Sequence, residues 1–198
     1  MAILEIVAGV CAVVTAICTT VSAVVSVAER VVSLCQAAGT VKAGIDHEGL
    51  GERCLAAEES GITPENFDND YEIYLERVGE IDMSGVDCDK WSRQEKALKA
   101  IEVLSGALIN DIGPKAEKVL LAMVNSPHPT FYNHERLGQY IMLDKQGKLD
   151  LDKAMDYLNG ENIKDAEQIR HELADAERLI DPMLTENQAL DIIDKYRV

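Results

Sequence analysis

The feature that most constrains this chain is a run of about 23 residues, from Ile6 to Ala28, that contains no charged side chain. It reads IVAGVCAVVTAICTTVSAVVSVA, in a chain of 198 residues with a formal net charge of -16. At about 1.5 Å per residue, one helix of this length spans a bilayer core about 30 Å thick. Such a helix also fits the centre of a bundle, and a regular apolar stripe fits an assembly seam.

Apolar residues in this run recur every three or four positions, which is the spacing of one helix face rather than the alternation of a strand. The run therefore predicts a single long helix. Its apolar stripe consists of Val7, Val10, Val14, Ile17, Val21 and Val24. The opposite side carries small and hydroxyl side chains, which suit close helix contacts or a water-filled pore. The predicted pore-lining or helix-contact residues are Thr15, Thr19, Ser22 and Ser26.

The distribution of charge divides the chain into two unequal parts. Only three charged side chains precede Lys42, so almost all of the net negative charge lies in the rest of the sequence. We expect a hydrophobic, hydroxyl-faced helix over residues 1–40 and an acidic domain over residues 46–198. An acidic surface repels phosphate groups, so nucleic acid is not an expected partner.

The apolar run does not look like a cleaved secretory signal, because Glu5 replaces the basic start and the run is longer than a signal core. We expect synthesis in the cytoplasm with the segment retained. The five cysteines are odd in number, and three of them lie in or beside the apolar segment. This pattern is not a disulfide framework, and it indicates a reducing compartment.

The acidic remainder reads as a succession of short helices without strand-like alternation. Ser92 with Glu95 and Thr185 with Gln188 have the spacing of capping boxes, each of which marks a helix start. The predicted fold is all-α, with a long hydrophobic N-terminal helix followed by an acidic multi-helix bundle. Its core is predicted from large apolar side chains that include Leu104, Leu120, Leu137, Leu173 and Leu179.

One stretch, DKQGKLDLDKAMDYL, can be aligned with a calcium-binding loop through Gly147. That register places Met142 at the first ligand position and Lys153 where a bidentate glutamate is required. The stretch is better interpreted as a corner between two helices, with Asp150 as the cap of the second.

Other candidates for chemistry are equally incomplete. His128 and His134 share one region, but no third metal ligand has a fixed spacing from them. Cys88 lies between two aspartates, whose charges raise a thiol pKa and so disfavour a reactive thiolate. We expect no catalytic residue, no cofactor site and no metal site.

The opening EIVAGVCAVVTAI resembles the openings of fungal HeLo-type cell-death domains. The resemblance covers about the first 30 residues, and residues 46–198 hold no corresponding landmarks, so we do not assign the chain to that family. The resemblance implies an all-α fold whose N-terminal hydrophobic segment leaves the bundle and permeabilises a membrane.

The leading expectation is a non-enzymatic, toxin-like effector that inserts into a lipid bilayer, oligomerises with copies of itself through the N-terminal helix and forms a pore. In its active form it is expected to be membrane-associated. One alternative is a structural protein that assembles into a ring or filament through the same helix. Another is a helical binding domain in which this helix is core and a protein partner docks on the acidic domain.

Overall fold

The computed structural model describes residues 3–197, which form ten α-helices and no strand. The predicted all-α class is confirmed. Two short 3₁₀ turns, Pro64–Phe67 and Cys88–Lys90, lie between helices. The helices are α1 (Ile3–Ile17), α2 (Val21–Ala37), α3 (His47–Glu59), α4 (Tyr71–Gly79), α5 (Arg93–Ile112), α6 (Lys115–Asn125), α7 (His134–Lys145), α8 (Leu151–Leu158), α9 (Ala166–Ile180) and α10 (Glu186–Tyr196).

Helix α5 is the centre of the bundle, and most of its side chains between Ala97 and Ile112 are buried. It packs against α1, α2, α3, α4 and α6. Helix α2 also packs on α7, α6 packs on α8, and α9 packs on both α7 and α8. Helix α10 packs on α9. Helix α5 therefore contacts every helix that precedes it and also α6, and the remaining helices join the bundle through α2, α6 and one another.

The predicted single helix over the apolar run is not observed, because the run is divided between α1 and α2. The chain leaves helical geometry at residues 18–20. Thr20 has extended backbone angles (φ -132°, ψ 152°), and its hydroxyl oxygen accepts a 3.2 Å hydrogen bond from the Ala23 amide. Threonine is a weak helix former and a good N-cap, so the local chemistry permits α2 to start here.

Both halves of the divided run contribute to a core that they share with later helices. Val10 and Val14 of α1 belong to the same hydrophobic cluster as Val24 and Val31 of α2 and Leu104 of α5. Each Å² of apolar surface that is removed from water stabilises the folded state by about 25 cal/mol. The core thus draws side chains from both parts of the sequence that composition distinguishes.

The break also divides the predicted apolar stripe. Its buried members are Val7, Val10, Val14 and Val24. Ile17 and Val21 flank the break and remain 42% and 43% exposed. A continuous helix would have carried all six on one face, but the change of direction turns these two toward solvent.

The two capping boxes predicted from the sequence are confirmed. Capping boxes form at Ser92 with Glu95 and at Thr185 with Gln188. The prediction that Leu179 lies in the core is wrong, because this residue is near the end of α9 and is 59% exposed. The others named with it are buried: Leu104, Leu120, Leu137 and Leu173.

Glycines allow two helices to approach α5 closely. A Cβ atom at Gly106 would lie 2.2 Å from the ring of Tyr71, which belongs to α4. A Cβ atom at Gly51 of α3 would lie 2.1 Å from the carbonyl oxygen of Lys96. Both distances are far below van der Waals contact distance. Each of these helix contacts therefore requires a glycine, which has no side chain, at that position.

Candidate interaction surface

The exposed side of α1 continues through the turn at residues 18–20 to the start of α2 without a charged side chain. We call it the outer face. No charged residue lies between Glu5 and Glu29. The outer face comprises the exposed residues Ala8, Gly9, Ala12, Thr15, Ala16, Ile17, Thr19, Thr20, Val21, Ser22 and Ser26.

Small side chains make the α1 part of this face flat. Ala8, Ala12 and Ala16 follow one another at intervals of four residues and so lie along one side of the helix. A Cβ atom added at Gly9 would have no heavy atom within 4 Å, so this part of α1 is open. Small residues at this spacing allow another helix backbone to approach closely.

The four predicted hydroxyl residues are all exposed, but they do not lie on one helix. Thr15 is on α1, Thr19 is in the turn, and Ser22 and Ser26 are on α2. The Thr15 hydroxyl donates to the Cys11 carbonyl oxygen at 2.8 Å, a bond within its own helix. The structure therefore exposes all four residues but does not place them along a single helix.

Within residues 3–197, no helix has both the length and the apolar composition needed to cross a membrane.

The surface around α3 and α5 has the opposite character, because lysines there are held between carboxylates. Lys96 lies 2.6 Å from a carboxylate oxygen of Glu52, and Lys99 lies 2.9 Å from both Glu58 and Glu102. The pKa of Lys99 is raised: burial lowers it, but the hydrogen bonds to its two glutamates outweigh that effect. The charged groups on this part of the surface are therefore paired with each other.

The most elaborate polar cluster was not predicted from the sequence, and it joins α7 to α9. Glu177 is 1% exposed and accepts two hydrogen bonds from Arg136, at 2.7 Å from Nε and 2.9 Å from Nη2. The Tyr140 hydroxyl donates to the same carboxylate at 2.7 Å. Arg136 also donates to the Phe131 carbonyl oxygen at 2.8 Å, and its guanidinium lies 4.4 Å from the Phe131 ring centre.

This cluster has the electrostatics of a structural anchor. Burial, and then the charge of Glu177, raises the pKa of Tyr140 well above its usual range. The pKa of Arg136 is raised because the hydrogen bonds that it donates to Glu177 outweigh the burial that lowers it. A buried pair of this kind holds its charges only with its full set of partners. No sequence spacing links positions 136 and 177, so only the fold could reveal the pair.

The cysteines have the properties of unreactive side chains. Burial raises the pKa of the Cys35 and Cys54 thiols to about 12 and that of Cys11 to about 11. The pKa of Cys88 is raised, as the sequence predicts, but partial burial and Glu52 contribute more than its flanking aspartates. Thiols with raised pKa values stay protonated at neutral pH and are weak nucleophiles.

The remaining motif predictions can be placed in the structure. Asp150 caps α8 by accepting a 3.2 Å hydrogen bond from the Lys153 amide, which confirms the corner interpretation of the calcium-like stretch. His128 packs edge-on against Tyr196, with 5.3 Å between ring centres. Among residues 3–197, no three His, Cys, Asp or Glu side chains are grouped so that they could hold a metal ion.

Comparison of the chain with known protein families, with curated proteins and with solved structures gives no significant match.

Proposed function

We propose that this protein is a non-enzymatic helical interaction protein that associates with copies of itself through the outer face. The observation that carries the proposal is the absence of charge from this exposed face, in a chain whose net charge is -16. Charged side chains normally keep exposed helix faces hydrated and prevent association. A face without them is suited to contact.

The composition of α1 supports this interpretation. Its inward side chains Val10 and Val14 are fully buried, while its outward side carries alanine, glycine and threonine. A helix that is apolar or uncharged all round is normally covered on all sides. Here one side faces solvent, so a second surface is expected to cover it. Ile17 and Val21 add apolar bulk at the end of the outer face.

Charge favours a second copy of the chain as the covering surface. Two molecules of net charge -16 repel each other wherever acidic groups meet, and the outer face is the approach with the fewest like charges. A basic partner, by contrast, would be attracted to the acidic surfaces and would gain little from this one. A second copy of the chain, bound through the outer face, is therefore the partner that the charge distribution favours.

The proposal is tested with a charge placed at the centre of the face. Ala12→Arg introduces a desolvated cation into the proposed contact, whereas Asn187→Arg makes the same charge change at an exposed position of α10. Sedimentation velocity is expected to show oligomers for the unmodified chain and for Asn187→Arg, and monomers for Ala12→Arg. A monomeric unmodified chain at high micromolar concentration would refute the proposal.

Membrane permeabilisation is a second candidate, because the charge-free run from Ile6 to Ala28 extends through both α1 and α2. Insertion would require these helices to leave the core, join into one helix and assemble, with the hydroxyl residues around a pore. Release of dye from liposomes tests this candidate. Val21→Arg is an informative variant because Val21 is 43% exposed, so an arginine is tolerated in the folded chain.

A charge at the middle of a membrane span costs about 2.5 to 3.5 kcal/mol on insertion scales. If the segment inserts, Val21→Arg should abolish dye release while leaving the thermal melt unchanged. Changing Thr15, Thr19, Ser22 and Ser26 together to leucine should preserve membrane binding but remove ion conductance. If the unmodified chain releases no dye, permeabilisation is rejected and self-association is unaffected.

A further inference from the structure

A cleft of about 360 Å³ lies on a different part of the surface, between α4 and the connection from α2 to α3. Val41, Ile45 and Leu75 form its apolar part, and Lys42, Glu72 and Glu76 are its charged residues. Its volume is in the range of small-molecule sites, which combine apolar walls with a few polar groups.

The wall formed by the connection is held in place by polar contacts. The Thr40 hydroxyl donates to Asp111 at 2.6 Å, and Lys145 donates to the same carboxylate oxygen at 2.6 Å. At the other end of the wall, the Gln36 side-chain amide donates to the Ile45 carbonyl oxygen at 2.9 Å. A wall fixed before binding lowers the entropy cost of binding.

The opposite wall presents two carboxylates. Glu72 and Glu76 are exposed and lie one turn apart on α4, so they share one side of that helix. Within the range 3–197, neither carboxylate is in an ion pair, although their neighbour Arg77 pairs with Glu80 at 2.9 Å. They are therefore available to a cation, and the negative field of the chain favours one.

We infer that this cleft binds a small organic cation, with a hydrocarbon body against Val41, Ile45 and Leu75 and a primary ammonium group against Glu72 and Glu76. Lys42 belongs to the other wall and disfavours the ammonium group there, which fixes the orientation. An anion of the same size would meet two carboxylates against the single ammonium group of Lys42, and a neutral molecule would leave the carboxylates unused. This site does not depend on the outer face.

The inference is tested with n-hexylammonium on the full isotope-labelled chain, with hexanol and hexanoate as neutral and anionic probes of matched length. Amide NMR signals of residues 41, 45 and 75 should shift and saturate with hexylammonium. Hexanol should bind at least about threefold more weakly, in line with the strength of an exposed charge contact. Hexanoate should not bind. Equal affinity for hexanol and hexylammonium would overturn the assignment of a cation.

Two variants distinguish this site from general attraction to an acidic protein. The double change Glu72→Gln with Glu76→Gln should weaken hexylammonium binding about fivefold while hexanol binding is unchanged. Glu135→Gln, at an exposed position of α7, should leave both affinities unchanged. Thermal melts establish that all variants are folded. Equal weakening by Glu135→Gln, or shifts spread over the whole surface, would disprove a specific site.

Discussion

The outer face of α1 and α2 differs from the surface of α3 and α5 in the charge that it presents to solvent. On α5, Lys96 and Lys99 are held between carboxylates, so the surface is charged and internally paired. On α1, no exposed residue after Glu5 is charged. The charges of the first surface are neutralised by one another, because each lysine lies against two carboxylates. The second presents only small, hydroxyl or apolar groups, and it is the surface through which we propose self-association.

The helices that carry these two surfaces nevertheless share one core. Removal of α1 and α2 should therefore reduce stability more than any other change proposed here. We expect a fragment of residues 46–198 to lose its cooperative thermal transition, because α2 packs on α5 and α7 and buries Val24, Val31 and Leu34. Circular dichroism and proton NMR would measure this. A fragment that melts as cooperatively as the full chain would show that the composition boundary is also a folding boundary.

The next largest effect is expected at the buried ion pair between α7 and α9. Glu177→Gln should lower the free energy of unfolding by about 3 to 5 kcal/mol, because it leaves the Arg136 charge without its buried partner. The matched change is Asp194→Asn, which removes an exposed partner of Arg170 and should cost about 1 kcal/mol or less. Urea unfolding of both variants measures the difference. A similar loss of unfolding free energy in both variants would mean that burial does not determine how much these ion pairs contribute to stability.

Two glycines provide a direct comparison of the core with the outer face. Gly106→Ala should destabilise the chain by about 1 to 3 kcal/mol, because the new methyl group overlaps the Tyr71 ring. Gly9→Ala should stabilise it by up to about 1 kcal/mol, since alanine is the better helix former and the site is open. Thermal unfolding of dilute samples gives both values. A destabilising Gly9→Ala would show that the outer face is already covered in the single molecule.

The smallest predicted effect concerns pH and the thiols. Folding raises the pKa of Cys35 from 9.0 to about 12, so its contribution to stability is complete below pH 9 and is lost as the pH rises toward 12. The expected slope is about 1.4 kcal/mol per pH unit. Cys35→Ala should therefore reduce the loss of stability between pH 9 and pH 10. Cys18→Ala, at the partly exposed turn, is the control and should change that loss less.

The sequence could predict much of the local structure, because helix starts depend on neighbouring residues. The Ser92 and Thr185 capping boxes and the Asp150 cap appear where the sequence places them. The uncharged character of the outer face is also visible in the sequence, since it requires only the absence of charged residues. The cleft beside α4 was not predicted, because its walls come from segments separated by about thirty residues.

The division of the apolar run is the clearest case of a choice made by tertiary structure. Locally, Thr20 can continue a helix at a cost below about 1 kcal/mol or cap a new one, so the sequence does not decide between them. Burial of Val14 on α1 and of Val24 and Val31 on α2 decides it, because several buried valines outweigh one threonine. Both helices pack on α5, but α1 also packs on α6 whereas α2 packs on α7. The pairing of Arg136 with Glu177 has the same origin. The sequence by itself determined that this chain is helical, acidic and uncharged over one segment; only packing between distant residues determined where that segment bends and which of its side chains remain exposed.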